Sequence, residues 1–311
     1  MERLETKQID HMIDDIQRLK ESRNAVILAH NYQIGEIQDI ADFTGDSLKL
    51  SQEAAETEAE VIVFCGVNFM AETAAILSPE KTVLVPDPEA GCSLADTISI
   101  DQLKAWKNKY TNAVVVSYIN TTAEIKAESD YCCTSTNALK VINAIPSDKE
   151  ILFLPDIFLG TYLQKITGRK LQLWPGECHV HAGILPSVVN NLRDQHPDAE
   201  FLVHPECGCL TPSMYYLANG DISSKDVHIL STEGMIRHAK ESCASRFIIA
   251  TEVGILHRMK KDNPYKTFLP VNPDAVCEYM KRTTLDTVYK SLQEMIYPVT
   301  IPKNISIKAK K

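Results

Sequence analysis

No two cysteines in this chain stand in a CxxC pair, no apolar run reaches the ~20 residues of a membrane helix, and basic residues are in deficit. The missing CxxC spacing disfavours a zinc ribbon. The net charge of −9 provides no electrostatic footprint for DNA or RNA. The basic tail (303–311) and the stretch HRMKKDNPYK (257–266) read as solvated segments. The opening residues, MERLETKQID, are charged and lack the apolar centre of a signal peptide. The expectation is therefore a cytoplasmic, reducing location. Nine cysteines, an odd number, fit a disulfide framework poorly there.

The 311 residues, 44% hydrophobic and 23% charged, are enough for a sizeable core without disulfides. Nine apolar, β-branched runs read as buried strands: 25–30, 61–66, 82–87, 113–118, 151–156, 171–174, 201–204, 247–252 and 267–271. Helix-like segments such as 46–59 and 234–244 separate most of them, which argues for parallel sheets in an α/β architecture.

Taken in threes, these strands repeat a pattern. The first of each set ends in a polar-x-polar pair: His30-Asn31-Tyr32, Tyr118-Ile119-Asn120 and His204-Pro205-Glu206. A Ser/Thr cluster follows, at 44–47, 134–136 and 231–232. After each third strand stands a cysteine: Cys92, Cys178, Cys277. The period, about 90 residues, exceeds the roughly 20–50 of solenoid units and suits three small α/β domains. The expected boundaries are 1–92, 93–177 and 178–276. Residues 277–311 then carry the last cysteine and helices packing on the first domain.

Ligands gather at the carboxyl ends of parallel strands, where these features fall. Three domains with those ends facing inward would share one central cavity and bring three thiols together. Soft thiolates favour iron–sulfur or zinc over hard cations. Three of them suit a cubane cluster with one iron open for Lewis-acid chemistry. Cys65, Cys132, Cys133 and Cys243 read as ordinary packed residues, and Cys207 and Cys209 as bystanders. His179 and His181 follow Cys178, and His181 suits a supporting place beside it.

The stretches AHNYQ (29–33), GCSLAD (91–96), YINTTAEIKAESD (118–130), CTSTNA (133–138), HPEC (204–207), STEGM (231–235), ATEVGILHRM (250–259) and CEYMKRTTL (277–285) resemble the quinolinate synthases, over most of the chain. The resemblance implies three αβα domains in pseudo-threefold array around one [4Fe–4S] cluster per chain, held by Cys92, Cys178 and Cys277. It implies condensation of iminoaspartate with dihydroxyacetone phosphate to quinolinate, phosphate and two waters, in NAD biosynthesis. The pathway suggests L-aspartate oxidase as supplier of the unstable imine. Some members carry a CxxCxxC at the last cysteine; here Met280 and Thr283 stand at those spacings, so no redox switch is expected there.

By the same resemblance, Ser47, Ser135 and Thr232 open helices and bind anionic substrate groups. Asn120 holds a carboxylate, and Pro205 lines the site. Glu206 is the expected principal base. His30 and His204 relay protons or hold oxygens, and Tyr32 and Tyr118 donate protons or orient intermediates. Glu252 and its counterpart Asp156 are expected to support the cavity or an interface. Rival readings are another iron–sulfur hydro-lyase, a zinc hydrolase using the His/Glu/Cys set, and a cluster-bearing sensor without turnover. The density of acid–base residues argues against the sensor.

Overall fold

The computed structural model describes residues 2–209 and 226–310. All nine expected strands are present, and three short ones join them. In chain order they are β1 (Ala25–His30), β2 (Phe43–Gly45), β3 (Val61–Cys65), β4 (Thr82–Leu84), β5 (Val114–Tyr118), β6 (Tyr131–Cys133), β7 (Ile151–Leu154), β8 (Gln172–Leu173), β9 (Glu200–Val203), β10 (Val227–Ile229), β11 (Arg246–Ala250) and β12 (Thr267–Pro270). They form three four-stranded sheets, ordered β2-β1-β3-β4, β6-β5-β7-β8 and β10-β9-β11-β12. Every pairing is parallel. Helices follow the strands, so the architecture is α/β with one topology used three times. The central strands are buried and apolar through their middles, because helices cover both faces.

The chain forms two compact units. One comprises Met1–Cys92 with Glu278–Lys311; the other is Ser93–Cys277. The first holds the β1–β4 sheet. Helix Glu2–Ser22 and helix Leu285–Glu294 share its core, with Ile16, Val288 and Leu292 fully buried beside Ile27 and Val63. The second holds the other two sheets.

The repeat goes deeper than strand order. A cation stands just before the last strand of each sheet and takes the carbonyls that end the helix after the edge strand. Lys81 binds Ala54 O and Thr57 O. Arg169 binds Ile142 O and Ile145 O, among others. Lys266 binds Ala239 O and Ser242 O. Helix C-termini leave carbonyls unpaired and carry partial negative charge, so a cation there satisfies both needs.

The cysteines are set in equivalent frames. The amide after the middle strand donates to the carbonyl two residues before each cysteine: Asn68 N to Ala90 O (2.8 Å), Ile157 N to Gly176 O (2.8 Å) and Val253 N to Ala275 O (3.0 Å). At one common interval after the cysteines come the cap residues Ser99, Leu185 and Thr284. Each cap starts a helix of 10 residues: Ile100–Lys109, Pro186–Gln195 and Leu285–Glu294. Ser99 and Thr284 both make reciprocal capping boxes.

Candidate functional site

The WPGECHVH loop follows β8. Trp174 Nε1 donates to Thr97 O (3.0 Å), and Gly176 N donates to Pro155 O (3.1 Å). A Cβ at Gly176 would lie 2.4 Å from Thr97 Oγ1 and 2.5 Å from Pro155 O, so the backbones approach closely there. Cys178 caps the one-turn helix His179–Ala182, and its carbonyl accepts from Ala182 N (2.8 Å). That turn brings His181 back over the thiol. His181 Nδ1 lies 3.2 Å from Cys178 Sγ and 3.1 Å from Glu206 Oε2. Its Nε2 lies 2.9 Å from Thr251 Oγ1. Cys178, His181 and Glu206 thus place three ligand-type atoms within 4.8 Å of one another.

Glu206 follows β9 and is buried. The His204 ring stacks on His181 at 5.0 Å, and its Nδ1 accepts the Glu206 amide (3.4 Å). His30 does the same two residues ahead of Tyr32 (3.2 Å), so the two strand-end histidines share a local geometry. In the neutral His204 ring the proton then sits on Nε2.

The electrostatics separate these groups. Burial works against charge on His204 and holds it down at about 4, so it is neutral. Burial also opposes charge on His181, but Cys178 and Glu206 overcome it and raise the imidazole to about 10. Burial would raise Glu206; His204, His181 and the Tyr118 hydroxyl overcome it and hold the carboxylate low. A carboxylate so held is a firm anchor and a weak base, the opposite of the tuning towards neutrality expected for it from sequence. Asp156, at the end of β7, is pushed well up by burial and then by Glu206. Its Oδ1 caps the next helix through Leu159 N (2.6 Å), while Oδ2 is buried with no partner among the described residues. Its polar place closing the apolar run ILFLPD was the visible clue.

Glu252, also fully buried, grips the last cysteine. Its Oε1 accepts from Cys277 N (3.1 Å) and its Oε2 from Gly254 N (2.7 Å). Cys178 and Cys277 pack against the same apolar cluster, which includes Phe201, Val203 and Ile248. Of the seven free cysteines, Cys92, Cys178 and Cys277 are the half-buried ones; Cys65 and Cys133 are buried, Cys132 and Cys243 exposed. Cys207 and Cys209, read as bystanders, are joined as a buried disulfide directly after Glu206. The spacing alone did not disclose that bond.

The second unit brings Tyr118, Glu206, His204, His181 and Cys178 together. His30, Tyr32, Ser47 and Cys92 belong to the other unit. Ser47 and Thr232 are first residues of their helices, capped by Asp46 and Ser231 respectively. Ser135 does not open a helix: it lies in a turn, and the helix begins at Ala138 after the cap Asn137. The reason is local, since the Asn137 side chain closes that turn on Thr134 N (2.7 Å). Asn120 is half-buried just past β5, and Pro205 is buried. Among the described residues no helix is long and apolar enough to cross a membrane.

The chain is similar to proteins named quinolinate synthase. One from Thermus thermophilus is 56% identical over 300 residues, 96% of this chain and 94% of that protein. One from Pyrobaculum aerophilum is 55% identical over 297 residues, 96% of each. One from Mycobacterium tuberculosis is 53% identical over 281 residues, 90% of this chain and 80% of that protein. A family model described as quinolinate synthetase A protein matches residues 14–311. With matches of that extent, the chain belongs to the quinolinate synthetase A family of enzymes.

Proposed function

We propose that this chain is a cytoplasmic quinolinate synthase of NAD biosynthesis, condensing iminoaspartate with dihydroxyacetone phosphate and releasing phosphate and two waters. Its family membership supports the overall reaction. The observation that carries the active centre is the equivalent framing of Cys92, Cys178 and Cys277, each two residues past a gripped carbonyl. All three are half-buried, unlike the packed core cysteines Cys65 and Cys133; burial pushes the Cys178 thiol up, so a bound metal would be what holds it as a thiolate. The three cysteines would hold one [4Fe–4S] cluster. When bound, such a cluster would supply an open iron as a Lewis acid for loss of water.

The remaining work falls to side chains. Thr232, behind the neutral cap Ser231, is suited to an anionic group. The Asp46 carboxylate beside Ser47 opposes an anion, so Ser47 serves a neutral oxygen. Asn120 and Ser135 take substrate carboxylate or phosphate oxygens, and Pro205 lines the site. His30 and His204 offer Nε2–H to carbonyl or hydroxyl oxygens. Tyr32 and Tyr118 orient intermediates. Glu206 starts as an anion braced by His181; arrival of anionic substrates raises its pKa and brings it into range as a base. His181 holds the Cys178 sulfur and the Glu206 carboxylate in register. L-aspartate oxidase is the partner enzyme that this reading expects as source of the imine.

A second reading has a specific observation behind it: Cys178, His181 and Glu206 would also hold a single zinc ion. One experiment separates the two. The protein is purified without oxygen, and iron, acid-labile sulfide and zinc are measured for wild type and Cys178→Ala, followed by quinolinate formation. Near-stoichiometric iron and sulfide in wild type, lost with activity in the variant, is the expected result. Zinc without sulfide, or a variant with full cluster and activity, would overturn it.

A further inference from the structure

A second group of metal-type ligands lies at the other end of β9 from Glu206. Glu200 opens β9, His228 is the middle residue of the edge strand β10, and His238 is on helix Thr232–Glu241. Their Nε2 and Oε atoms lie within 4.8 Å of one another. His238 Nε2 is 2.6 Å from Glu200 Oε2, and His228 Nε2 is 3.8 Å from the same oxygen.

An ordinary hydrogen bond accounts for His238 and Glu200. It does not account for His228. Its Nε2 is buried, turned towards that carboxylate, and has no hydrogen-bond partner among the described residues. Orphaned buried imidazole nitrogens cost stability, so one aimed at a carboxylate and a second imidazole needs an explanation. The imidazoles are held in place: the two rings lie 3.9 Å apart, and His238 meets Phe247 edge-on at 6.5 Å. The carboxylate is braced from behind, because Ser242 Oγ donates to Glu200 Oε1 (2.9 Å), the outer support that ligand carboxylates have in metal sites.

We propose that Glu200, His228 and His238 form a second metal site, for one divalent ion of the zinc class, separate from the thiolate centre. Two imidazoles and one carboxylate are a borderline donor set that suits zinc rather than magnesium or calcium. Bonds of about 2.0–2.2 Å in a tetrahedron put ligand atoms roughly 3.3 Å apart. The observed 2.6 and 3.8 Å bracket that separation. The remaining pair, the two imidazole nitrogens, lies within 4.8 Å. Each ligand side chain is half-buried, and water would complete the tetrahedron. Glu200 and His228 flank the segment that carries His204, Pro205 and Glu206. A metal there ties the edge strand β10 to β9 and to helix Thr232–Glu241. The role is a staple, and it does not depend on what Cys178 binds.

The test uses the intact holoprotein, titrated with zinc and, in parallel, with cobalt(II). Wild type should take up one zinc per chain beyond its iron, with a rise in melting temperature. Cobalt(II) should show the visible absorption of a four-coordinate nitrogen–oxygen site. His228→Gln and His238→Gln should each weaken zinc binding at least about tenfold and abolish the thermal rise, with iron and sulfide unchanged. Cys178→Ala should keep the zinc. The proposal falls if wild type takes up no zinc, if zinc survives both histidine substitutions, or if it is lost with Cys178→Ala. Should a histidine variant fail to fold, the wild-type cobalt spectrum still decides, and its absence refutes the site.

Discussion

Glu252 holds two backbone amides with one buried carboxylate, and one of those amides belongs to Cys277. Glu252→Gln turns one acceptor oxygen into a donor that faces an N–H. A buried mismatch of this kind costs about 1–3 kcal/mol. Denaturant unfolding should register that loss, and iron content should fall with it, because the thiol is displaced. His204 makes a different prediction. Its folded pKa of about 4 lies below the ordinary 6.5. Between those values the unfolded chain binds more protons, so stability falls as pH is lowered through that window. His181, raised to about 10, acts in the other direction: its contribution is complete below 6.5 and fades as pH rises towards 10. In chelated protein, His204→Asn should flatten the acid-side decline, by an amount on the order of 1–3 kcal/mol, read from urea midpoints at pH 7 and pH 4.5. At this scale the sequence disclosed residue types well and partners poorly. The polar-x-polar pairs stood out, and so did the place of His181 beside Cys178, yet its reach to Glu206 joins residues 25 positions apart and no local pattern announces it.

Elements were more legible than contacts. The six central strands have largely apolar middles, because both faces are covered, and they were readable together with β4, β8 and β12. The edge strands on the opposite side, β2, β6 and β10, were not. Each has three residues, and FTG, YCC and VHI carry too little pattern to separate from a loop. What fixes two of them is a side chain ahead of the strand. Asp42 takes Ile27 N and Asp130 takes Val115 N, both at 2.8 Å. Ser135 failed as a helix start for a related reason, since Asn137 closes the turn and becomes the cap. The tight loop ahead of Cys178 can be tested directly. Gly176→Ala would push a methyl group against Thr97 Oγ1 and the Pro155 carbonyl. Overpacking against backbone costs about 1–3 kcal/mol. The variant should melt lower and hold less iron, while Gly168→Ala, with nothing within 4 Å of the added methyl but a left-handed backbone, should lose stability without losing iron.

For the whole molecule, the threefold order of strands was visible in the sequence, and the closing of the first unit by the chain's last helices was an expectation drawn from it. Helix Leu285–Glu294 buries Val288 and Leu292 against Ile16 and the β1–β4 sheet. Full burial of two such side chains is worth about 1.5–3 kcal/mol each. A chain ending at residue 284 should therefore aggregate or run as a mixture on size exclusion, although it keeps all nine cysteines. The common interval between each cysteine and the following cap has a further meaning for natural variation. An insertion there would turn the next helix about its axis and draw the thiol from its frame. Across relatives of this chain, gains and losses of residues should therefore collect elsewhere, and the segments 92–99, 178–185 and 277–284 should keep one length. Those intervals act as a gauge, the same at three places, against which drift in the rest of the chain can be measured.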